Sequence, residues 1–422
     1  MPALWLTSLV VLSAIPELRL GDVQALEMLQ LLRALLVTLF FAQIGARLPN
    51  GGVWRDYGRG FLVFLALSSV LAAAAIRLRF YAPSSISLLK SPIVLSISRI
   101  FEIALAIYFL LAIAETLRER PKLLRNALSA YVVIGTLSAV ASIVAFIIFL
   151  STGSNALFVS PLDHRARGFF NEGGPYGLFL VSVIIVFSLR QRLYPVVSPI
   201  RTRTALFLIW IALFLSASKA GLLAAIVCGG LATFFAPTSR RRILAALVLP
   251  VACLTFLALF QFALRGYVRS YLGFDETVLY RPEDRNLIMG RVVAAFIIPR
   301  MIVSHPLLGI GIGNYSLMRN DPDYLKGLPS VNDWDLPGLG LISDAAELGV
   351  PLTVFFVILL LRPFRRARKM KAPGAFIAAA AFQPIALLLG VNLNFFYPWL
   401  ISAFLLASLE GTRTRPLPEL SE

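Results

Sequence analysis

The sequence predicts an all-α polytopic membrane protein with about twelve transmembrane helices and one long extracytoplasmic loop that contains an interfacial helix. Of the 422 residues, 58% are hydrophobic and only 14% are charged, and the mean hydropathy is +0.81. Because about a quarter of the residues in a soluble domain are charged, this composition excludes a soluble protein. The apolar residues form continuous runs rather than alternating with polar ones, which favours helices over a barrel.

The apolar runs are separated by short polar loops along most of the chain. The candidate spans are 3–16, 26–46, 60–78, 92–116, 126–150, 173–189, 204–217, 219–236, 243–262, 347–362, 373–390 and 394–410. The first run has no basic segment before it, so we expect a retained short span rather than a signal peptide. Residues 1–422 are expected to form a single integral membrane domain.

Lysine and arginine recur in alternate short loops, which predicts that these loops and both termini are cytoplasmic. The residues concerned are Arg118, Arg120, Lys122, Arg125, Arg190, Arg192, Arg201, Arg203, Arg240, Arg241, Arg242, Arg362, Arg365, Arg366, Arg368, Lys369 and Lys371. The intervening loops then lie outside, and residues 263–346 are predicted to form a long periplasmic loop. The net charge of +17 is explained by topology and by contact with anionic lipid, so no nucleic-acid partner is expected.

The long loop contains no run that could cross a membrane, and loops of this length are uncommon without a function. Its arginines are Arg265, Arg269, Arg281, Arg285, Arg291 and Arg300. The proline and the acids at Pro282–Asp284 predict a helix from Pro282 to about Ser304, bent at Pro299 and lying along the outer membrane interface. The arginines either bind an anionic substrate or contact lipid headgroups.

A glycine-rich turn follows this helix, with glycines at 309, 311 and 313. A dinucleotide site is disfavoured, because the glycines are not set between a strand and a helix. The glycines either permit a tight turn whose backbone N–H groups face an anion or have a purely structural role.

Several other residue types are expected to support the fold rather than a site. Cys228 and Cys253 lie inside apolar runs and are expected to be buried thiols. With two histidines and no carboxylate cluster, neither a metal nor another cofactor is expected. Arg99 and Glu102 are predicted to pair within one span. The aromatic residues predicted to form an interfacial belt are Phe395, Phe396, Tyr397 and Trp399.

Four stretches carry a pattern through their order along the chain. They are RGFFNEGGPYG at Arg167–Gly177, LSASKAG at Leu215–Gly221, SHPLLGIG at Ser304–Gly311 with Gly290 and Arg291 before it, and AELGV at Ala346–Val350. Together they resemble the O-antigen ligase and polymerase superfamily of bacterial membrane glycosyltransferases. The resemblance covers roughly Arg165 to Pro363.

The resemblance implies transfer of a glycan from an undecaprenyl-diphosphate carrier to an acceptor sugar at the outer face of the bacterial inner membrane. The two positive residues that hold the donor diphosphate in ligases correspond to Lys219 and Arg291. The ligase histidine that serves the acceptor would fall near Gly338, and its absence favours a polymerase. The implied partners are the lipid-linked glycan, the lipid bilayer and other membrane proteins of polysaccharide assembly.

Fixed positive charges at the membrane surface would stabilise a departing diphosphate. Lys219 at a corner between two spans either serves this purpose or snorkels to the interface. The further substrate-binding candidates are Arg165, Arg167, Glu172, Arg285 and His305.

The acceptor hydroxyl can require a base, and carboxylates on outside segments are the candidates. Asp344 and Glu347 are three residues apart and share one face of a helix, and Asp335 and Glu172 are further candidates. Glu347 could instead stabilise only the start of its span. His305, which precedes a proline, is either a turn residue or a weaker candidate base.

We therefore predict a metal-independent glycosyltransferase that acts as a polysaccharide polymerase. A ligase that passes the glycan to another acceptor is the first alternative. A transporter or flippase for a lipid-linked glycan is the second, because arginines in a membrane cavity can also move an anionic lipid. A scaffold is the third, although it leaves the outside arginines unexplained.

Overall fold

The structure is a computed structural model, and it describes residues 2–15, 18–20, 23–26, 34–39, 42, 52–84, 87–153, 158–159, 164–170, 172–195, 199–235, 290–334, 338–393 and 395–414. The helices are α1 (Pro2–Ala14), α2 (Arg59–Ala75), α3 (Pro92–Glu119), α4 (Pro121–Thr152), α5 (Gly173–Leu193), α6 (Pro199–Leu215), α7 (Lys219–Phe234), α8 (Arg291–Ser304), α9 (Tyr315–Met318), α10 (Pro322–Leu325), α11 (Leu341–Leu348), α12 (Val350–Leu360), α13 (Arg362–Lys369), α14 (Gly374–Leu388) and α15 (Tyr397–Thr414). Strands β1 (Leu18–Leu20) and β2 (Val23–Leu26) form an antiparallel pair. A π-helical turn, Trp54–Gly58, precedes α2, and a 3₁₀ turn, Leu88–Lys90, precedes α3.

Most predicted spans that fall within the described residues are helices at nearly the predicted positions. The helices long and apolar enough to cross a membrane are Trp54–Ala75, Pro92–Glu119, Pro121–Thr152 and Gly173–Leu193. Shorter apolar helices include α7, α14 and most of α6 and α15. The predicted span 243–262 lies outside the described residues, as does most of 26–46. The helical membrane class is therefore confirmed, and the number of spans stays a prediction.

The centre of the bundle is α15, whose residues 401–410 are all buried. It packs mainly along α3 and against α14. Small residues permit close packing elsewhere, because the backbones of α5 and α7 approach each other at Gly177 and Gly221. A helix that is apolar on all sides, as α15 is before its last turn, is expected at the core of such a bundle.

One end of the bundle, which we call the loop end, carries residues 305–349. The start of α3 is tied to it because the Ser96 hydroxyl donates to the carbonyl of Ile312 at 2.7 Å. The end of α2 also lies there, since a side chain at Gly311 would meet Ala75. The end of α14 lies beside Gly340, and α12 begins directly after α11.

The opposite end, which we call the basic end, includes Arg118 and Arg366, two of the arginines that were predicted to share one side. Arg366 of α13 forms ion pairs with Asp56 and with Glu410, which ends the buried stretch 401–410 of α15. Arg118 pairs with Glu115 near the end of α3. Arg118 and Arg366, which come from two of the loops predicted to be cytoplasmic, thus lie at the same end of the bundle, and the side of the membrane on which this end lies stays a prediction.

Candidate functional site

The first two sequence motifs meet at a corner formed by residues 164–177 and 215–219, which we call the α5–α7 corner. The backbone N–H of Ala166 donates to the carbonyl of Leu215 at 3.0 Å. The hydroxyl of Ser218 donates to the carbonyl of Gly174 at 2.9 Å and accepts from the N–H of Gly221 at 2.9 Å, which caps α7. Two stretches that are far apart in sequence therefore form one local structure.

Positive charge collects at this corner. Lys219 is the first residue of α7 and is exposed, Arg165 is partly buried, and Arg167 is 3% exposed. Glu172 is exposed and directly precedes α5. Both α5 and α7 begin here, and the start of a helix carries partial positive charge. The corner therefore has the electrostatic character that an anionic group requires.

The third and fourth motifs also meet, at the loop end of the bundle. The N–H of Ile310 donates to the carbonyl of Ala346 at 2.9 Å, and the N–H of Val350 donates to the carbonyl of Pro306 at 2.8 Å. Gly309 has φ +66°, and a side chain there would collide with the carbonyl of Glu347. Only glycine fits this position without strain, because it combines a left-handed backbone with a close backbone neighbour.

The anion that faces the glycine turn is a side chain of the protein itself. One carboxylate oxygen of Glu347 accepts from the N–H of Gly313 at 2.9 Å, and the other accepts from the N–H of Tyr315 at 3.1 Å. Burial raises the pKa of Glu347, whereas Arg99 and these two N–H groups lower it. We call this arrangement the Glu347 clamp, and it gives Glu347 a clear structural role.

A polar cavity of about 160 Å³ lies between the Glu347 clamp and the bundle. Its lining includes Arg99 of α3, Tyr315, Ser343, Asp344, Glu347, and Asn392 in the turn between α14 and α15. Asp344 and Glu347 lie on α11 and both line the cavity, so the prediction that they share one face is confirmed. The cavity has room for several water molecules, or for a sugar hydroxyl in place of one of them.

Asp344 is the carboxylate in this cavity that suits proton transfer. Burial raises its pKa to about 7; the charge of Arg99 opposes the rise and the charge of Glu347 adds to it. A carboxyl group with a pKa near neutral pH is ionised often enough to accept a proton and basic enough to hold it.

A single turn contacts both the α5–α7 corner and the polar cavity. Residues 391–393 of this turn line the cavity. The ring of Phe395 stacks on Phe170 with centroids 6.2 Å apart, and the hydroxyl of Tyr397 donates to the carbonyl of Pro175 at 3.5 Å. The α5–α7 corner and the polar cavity are therefore connected through residues 391–393 and 395–397.

The aromatic residues of this turn are not an interfacial belt, and that prediction is wrong. Phe396, Tyr397 and Trp399 are 4%, 0% and 1% exposed, respectively. The indole N–H of Trp399 donates to the carbonyl of Leu393 at 2.9 Å, which fastens the turn to the start of α15. These three rings are packed between helices, whereas Phe395 is only partly buried.

Other predicted site residues have different positions. Arg291 is exposed and begins α8 after an extended Gly290, so the prediction of a continuous helix from Pro282 is wrong. Arg291 does not line the polar cavity, although α8 packs against α11. Arg285 and Asp335 lie outside the described residues.

Arg300 and His305 have local contacts that explain them structurally. Arg300 Nη1 donates to the carbonyls of Tyr324 and Leu325 at 2.6 and 3.0 Å. His305 follows the last residue of α8, and its carbonyl accepts from the N–H of Gly309 at 3.0 Å. These contacts favour the turn alternative for His305.

The site residue that sequence reasoning missed is Arg99. The predicted pair with Glu102 is confirmed, with 3.3 Å between Nη1 and Oε2. No sequence pattern indicated that Arg99 also faces the acids of a loop more than two hundred residues later. The one indication for Arg99 in the sequence was a general rule, that an ionisable residue inside a membrane span is a candidate for function.

Among the described residues, no group of three histidine, cysteine, aspartate or glutamate side chains could hold a metal ion. Cys228 is buried and unpaired with another cysteine, as expected, whereas Cys253 lies outside the described residues. Metal independence stays a prediction.

These features define a helical membrane protein with a polar, charged site at one end of its bundle. Residues 204–357 match the family model described as O-Antigen ligase. The match includes the second, third and fourth motifs and confirms the resemblance to the O-antigen ligase and polymerase superfamily, whose members are glycosyltransferase-like enzymes. The apolar helices and this match indicate a bacterial membrane protein. No curated protein sequence matches the chain.

Replacing Glu347 by alanine is expected to destabilise the protein by about 1–3 kcal/mol, because the N–H groups of Gly313 and Tyr315 lose their acceptor inside the structure. Glu347→Gln keeps one carbonyl oxygen and is expected to lose less. Thermal unfolding of the detergent-solubilised protein measures both. Glu172→Ala is the matched control, and because Glu172 is exposed it should change stability by less than about 0.5 kcal/mol. Equal stability of Glu347→Ala and wild type would contradict the clamp.

Proposed function

We propose that the protein is a membrane glycosyltransferase that joins undecaprenyl-diphosphate-linked oligosaccharide units, acting as a polysaccharide or O-antigen polymerase. In this proposal it lies in the bacterial inner membrane as a single domain with both termini in the cytoplasm. The loop end, with the long loop 263–346, faces the periplasm. The family match and the gathering of described arginines at the basic end support this orientation.

The observation that carries the proposal is Asp344 in a polar cavity at the end of the bundle that also bears the α5–α7 corner. The acceptor hydroxyl enters the cavity, and Asp344 takes its proton. The acceptor oxygen forms a bond to the anomeric carbon of the donor sugar. The bond from that carbon to the diphosphate oxygen breaks, and the diphosphate leaves with the electron pair.

Lys219, Arg165, Arg167 and Arg291 are proposed to hold the donor diphosphate. Lys219 and the two corner arginines surround the starts of two helices, which adds partial positive charge. Charge develops on the departing diphosphate during transfer, so fixed cations stabilise the transition state more than the ground state. Because diphosphate is already a good leaving group, positioning and electrostatics supply most of the required catalysis.

Glu347 is proposed to hold the glycine turn against α11 rather than to transfer a proton. Both of its oxygens accept backbone N–H groups, so a substrate hydroxyl would have to compete with them. Asp344 is therefore the preferred base of the two acids.

A ligase is the second candidate, and the observation that favours it is the description of the matched family as O-Antigen ligase. Against it, the position where the resemblance would put the ligase histidine is Gly338, which lines the polar cavity and brings no side chain into it. This observation favours the polymerase.

The direct test incubates the purified protein with undecaprenyl-diphosphate-linked repeat units alone. A polymerase is expected to produce a ladder of glycans that differ by one repeat unit, measured by gel electrophoresis and mass spectrometry. A metal-independent enzyme should give the same ladder in EDTA. Transfer that appears only when a different acceptor is added would identify a ligase, and no transfer to any acceptor would reject the enzyme.

Extension by the wild-type protein is expected to fall below a pH of about 7, by about tenfold per pH unit, because protonated Asp344 cannot accept a proton. Asp344→Asn is expected to lower the rate at least about 100-fold and to remove this acid limb. The measurement is the initial rate of ladder formation between pH 5 and 9, a range that brackets the titration by about two units on each side. An acid limb that persists unchanged in Asp344→Asn would assign the proton to another group.

Lys219→Ala and Arg291→Ala are each expected to lower extension by about 100-fold, because each removes a fixed charge from the departing diphosphate. Lys326→Ala is the control, since Lys326 is an exposed lysine at the loop end that lines no cavity described here. Expression and thermal unfolding should match wild type for all three. Normal extension by both site variants would remove them from the diphosphate site.

A further inference from the structure

Arg99 occupies a fixed place between the bundle and the loop. It lies one helical turn after Ser96, whose hydroxyl binds the carbonyl of Ile312, so this part of α3 is fastened to the glycine turn. The guanidinium of Arg99 pairs with the carboxylate of Glu102 at 3.3 Å, with the two side chains 26% and 24% exposed. Arg99 also lines the polar cavity together with Asp344 and Glu347.

We propose that Arg99, held in place by Glu102, is a positioning residue that keeps the carboxylate of Asp344 in its proton-accepting form. This inference rests on the proposed function, because it needs Asp344 to be the base. Arg99 acts through Asp344 and need not touch either substrate. It joins α3, which lies outside the residues of the family match, to the chemistry of the loop.

Arg99 has this role because the other groups on and around α11 do not favour ionisation of the Asp344 carboxylate. On its own helix, Glu347 is an anion that opposes ionisation of Asp344. Tyr315 at the start of α9 has a pKa of about 12 because it is buried, so its phenol is neutral. The helices α12 and α14, which pack against α11, carry no charged residue.

The nearby arginines of other helices are committed elsewhere or lie away from the cavity. On α8, Arg300 binds the carbonyls of Tyr324 and Leu325, and Arg291 does not line the cavity. Arg319 at the end of α9 is buried beside Tyr315 and is also absent from the lining. Arg99 is the positive residue that lines the cavity in the part of the chain that the structure describes.

Glu102 has a place that suits a carboxylate holding an arginine. It lies on the side of Arg99 away from the loop and lines a second, apolar cavity of about 300 Å³. The walls of that cavity include Phe101, Leu105, Phe396 and Trp399. In such surroundings an ion pair is less screened than in bulk water, so Glu102 holds Arg99 more firmly than a surface carboxylate would.

The test compares the pH dependence of glycan extension in variants of Arg99. Removing the positive charge in Arg99→Gln makes ionisation of Asp344 less favourable, so the acid limb should move to higher pH by about 1 unit. Arg99→Lys keeps the charge and should leave the limb near its wild-type position. Arg79→Gln is the matched control, because Arg79 is an exposed arginine at the loop end that lies over Tyr81 and lines no cavity described here. A loss of rate at all pH values without a shift in Arg99→Gln would show a merely structural role and overturn the inference.

Glu102→Gln supplies an independent measurement if Arg99→Gln does not fold. It removes the carboxylate that holds Arg99 in place beside Asp344, so the acid limb should move to higher pH, in the same direction as in Arg99→Gln. A limb that stays at the wild-type position in Glu102→Gln, when Arg99→Gln is unfolded or unshifted, overturns the inference. The proposed function fails separately, when Asp344→Asn keeps the wild-type acid limb. If Asp344→Asn removes the limb but neither Arg99→Gln nor Glu102→Gln moves it, the base is correct and only the role of Arg99 is wrong.

Discussion

The geometry of the site depends on the two hydrogen bonds that the backbone N–H groups of Gly313 and Tyr315 donate to the Glu347 carboxylate. They join α11 to the glycine turn, and the same turn is fastened to α3 through Ser96 and Ile312. Three parts of the chain are thereby held around one cavity. A buried carboxylate is costly unless it is hydrogen-bonded, so the turn and the acid are stable only together. The glycines at 309, 311 and 313 are required because their positive φ angles bring the backbone close to α11 and its neighbours.

Asp344 and Glu347 show how one helix can carry two acids with different tasks. Both line the same cavity and both are raised in pKa by burial. Both carboxylate oxygens of Glu347 accept hydrogen bonds from backbone N–H groups, which replace the water that would solvate an exposed carboxylate. Glu347 therefore has a structural role. Asp344 has no backbone N–H donor described on its carboxylate; burial raises its pKa, and the charge of Arg99 opposes the rise. Environment rather than residue type separates the roles, as it does for paired carboxylates in other enzymes.

Hydropathy was sufficient to predict the helical class and the approximate positions of the helices, because continuous apolar runs have few other stable forms in a membrane. The second motif also indicated Lys219 as a candidate site residue, and the three-residue spacing to Glu347 indicated Asp344. The sequence could not show which motifs meet, since the contact of Ile310 with Ala346 depends on packing between distant segments. For the same reason the role of Arg99 was missed. The interfacial belt was predicted wrongly because aromatic residues near a helix end are equally suited to a buried turn, as Tyr397 shows.

The turn into α15, described at residues 391–393 and 395–397, adds a constraint on how the two halves of the site can move. It contacts the α5–α7 corner through Phe395 and Tyr397, and the polar cavity through residues 391–393. Its attachment to α15 is buried in the centre of the bundle, where close packing resists displacement. A donor held at the corner and an acceptor held in the cavity would thus be positioned by one rigid element. Reaction between two bound substrates is strongly accelerated when their relative position is fixed in advance. In the proposed function, the fold therefore supplies orientation through its core, while the charged residues at the loop end supply the electrostatics.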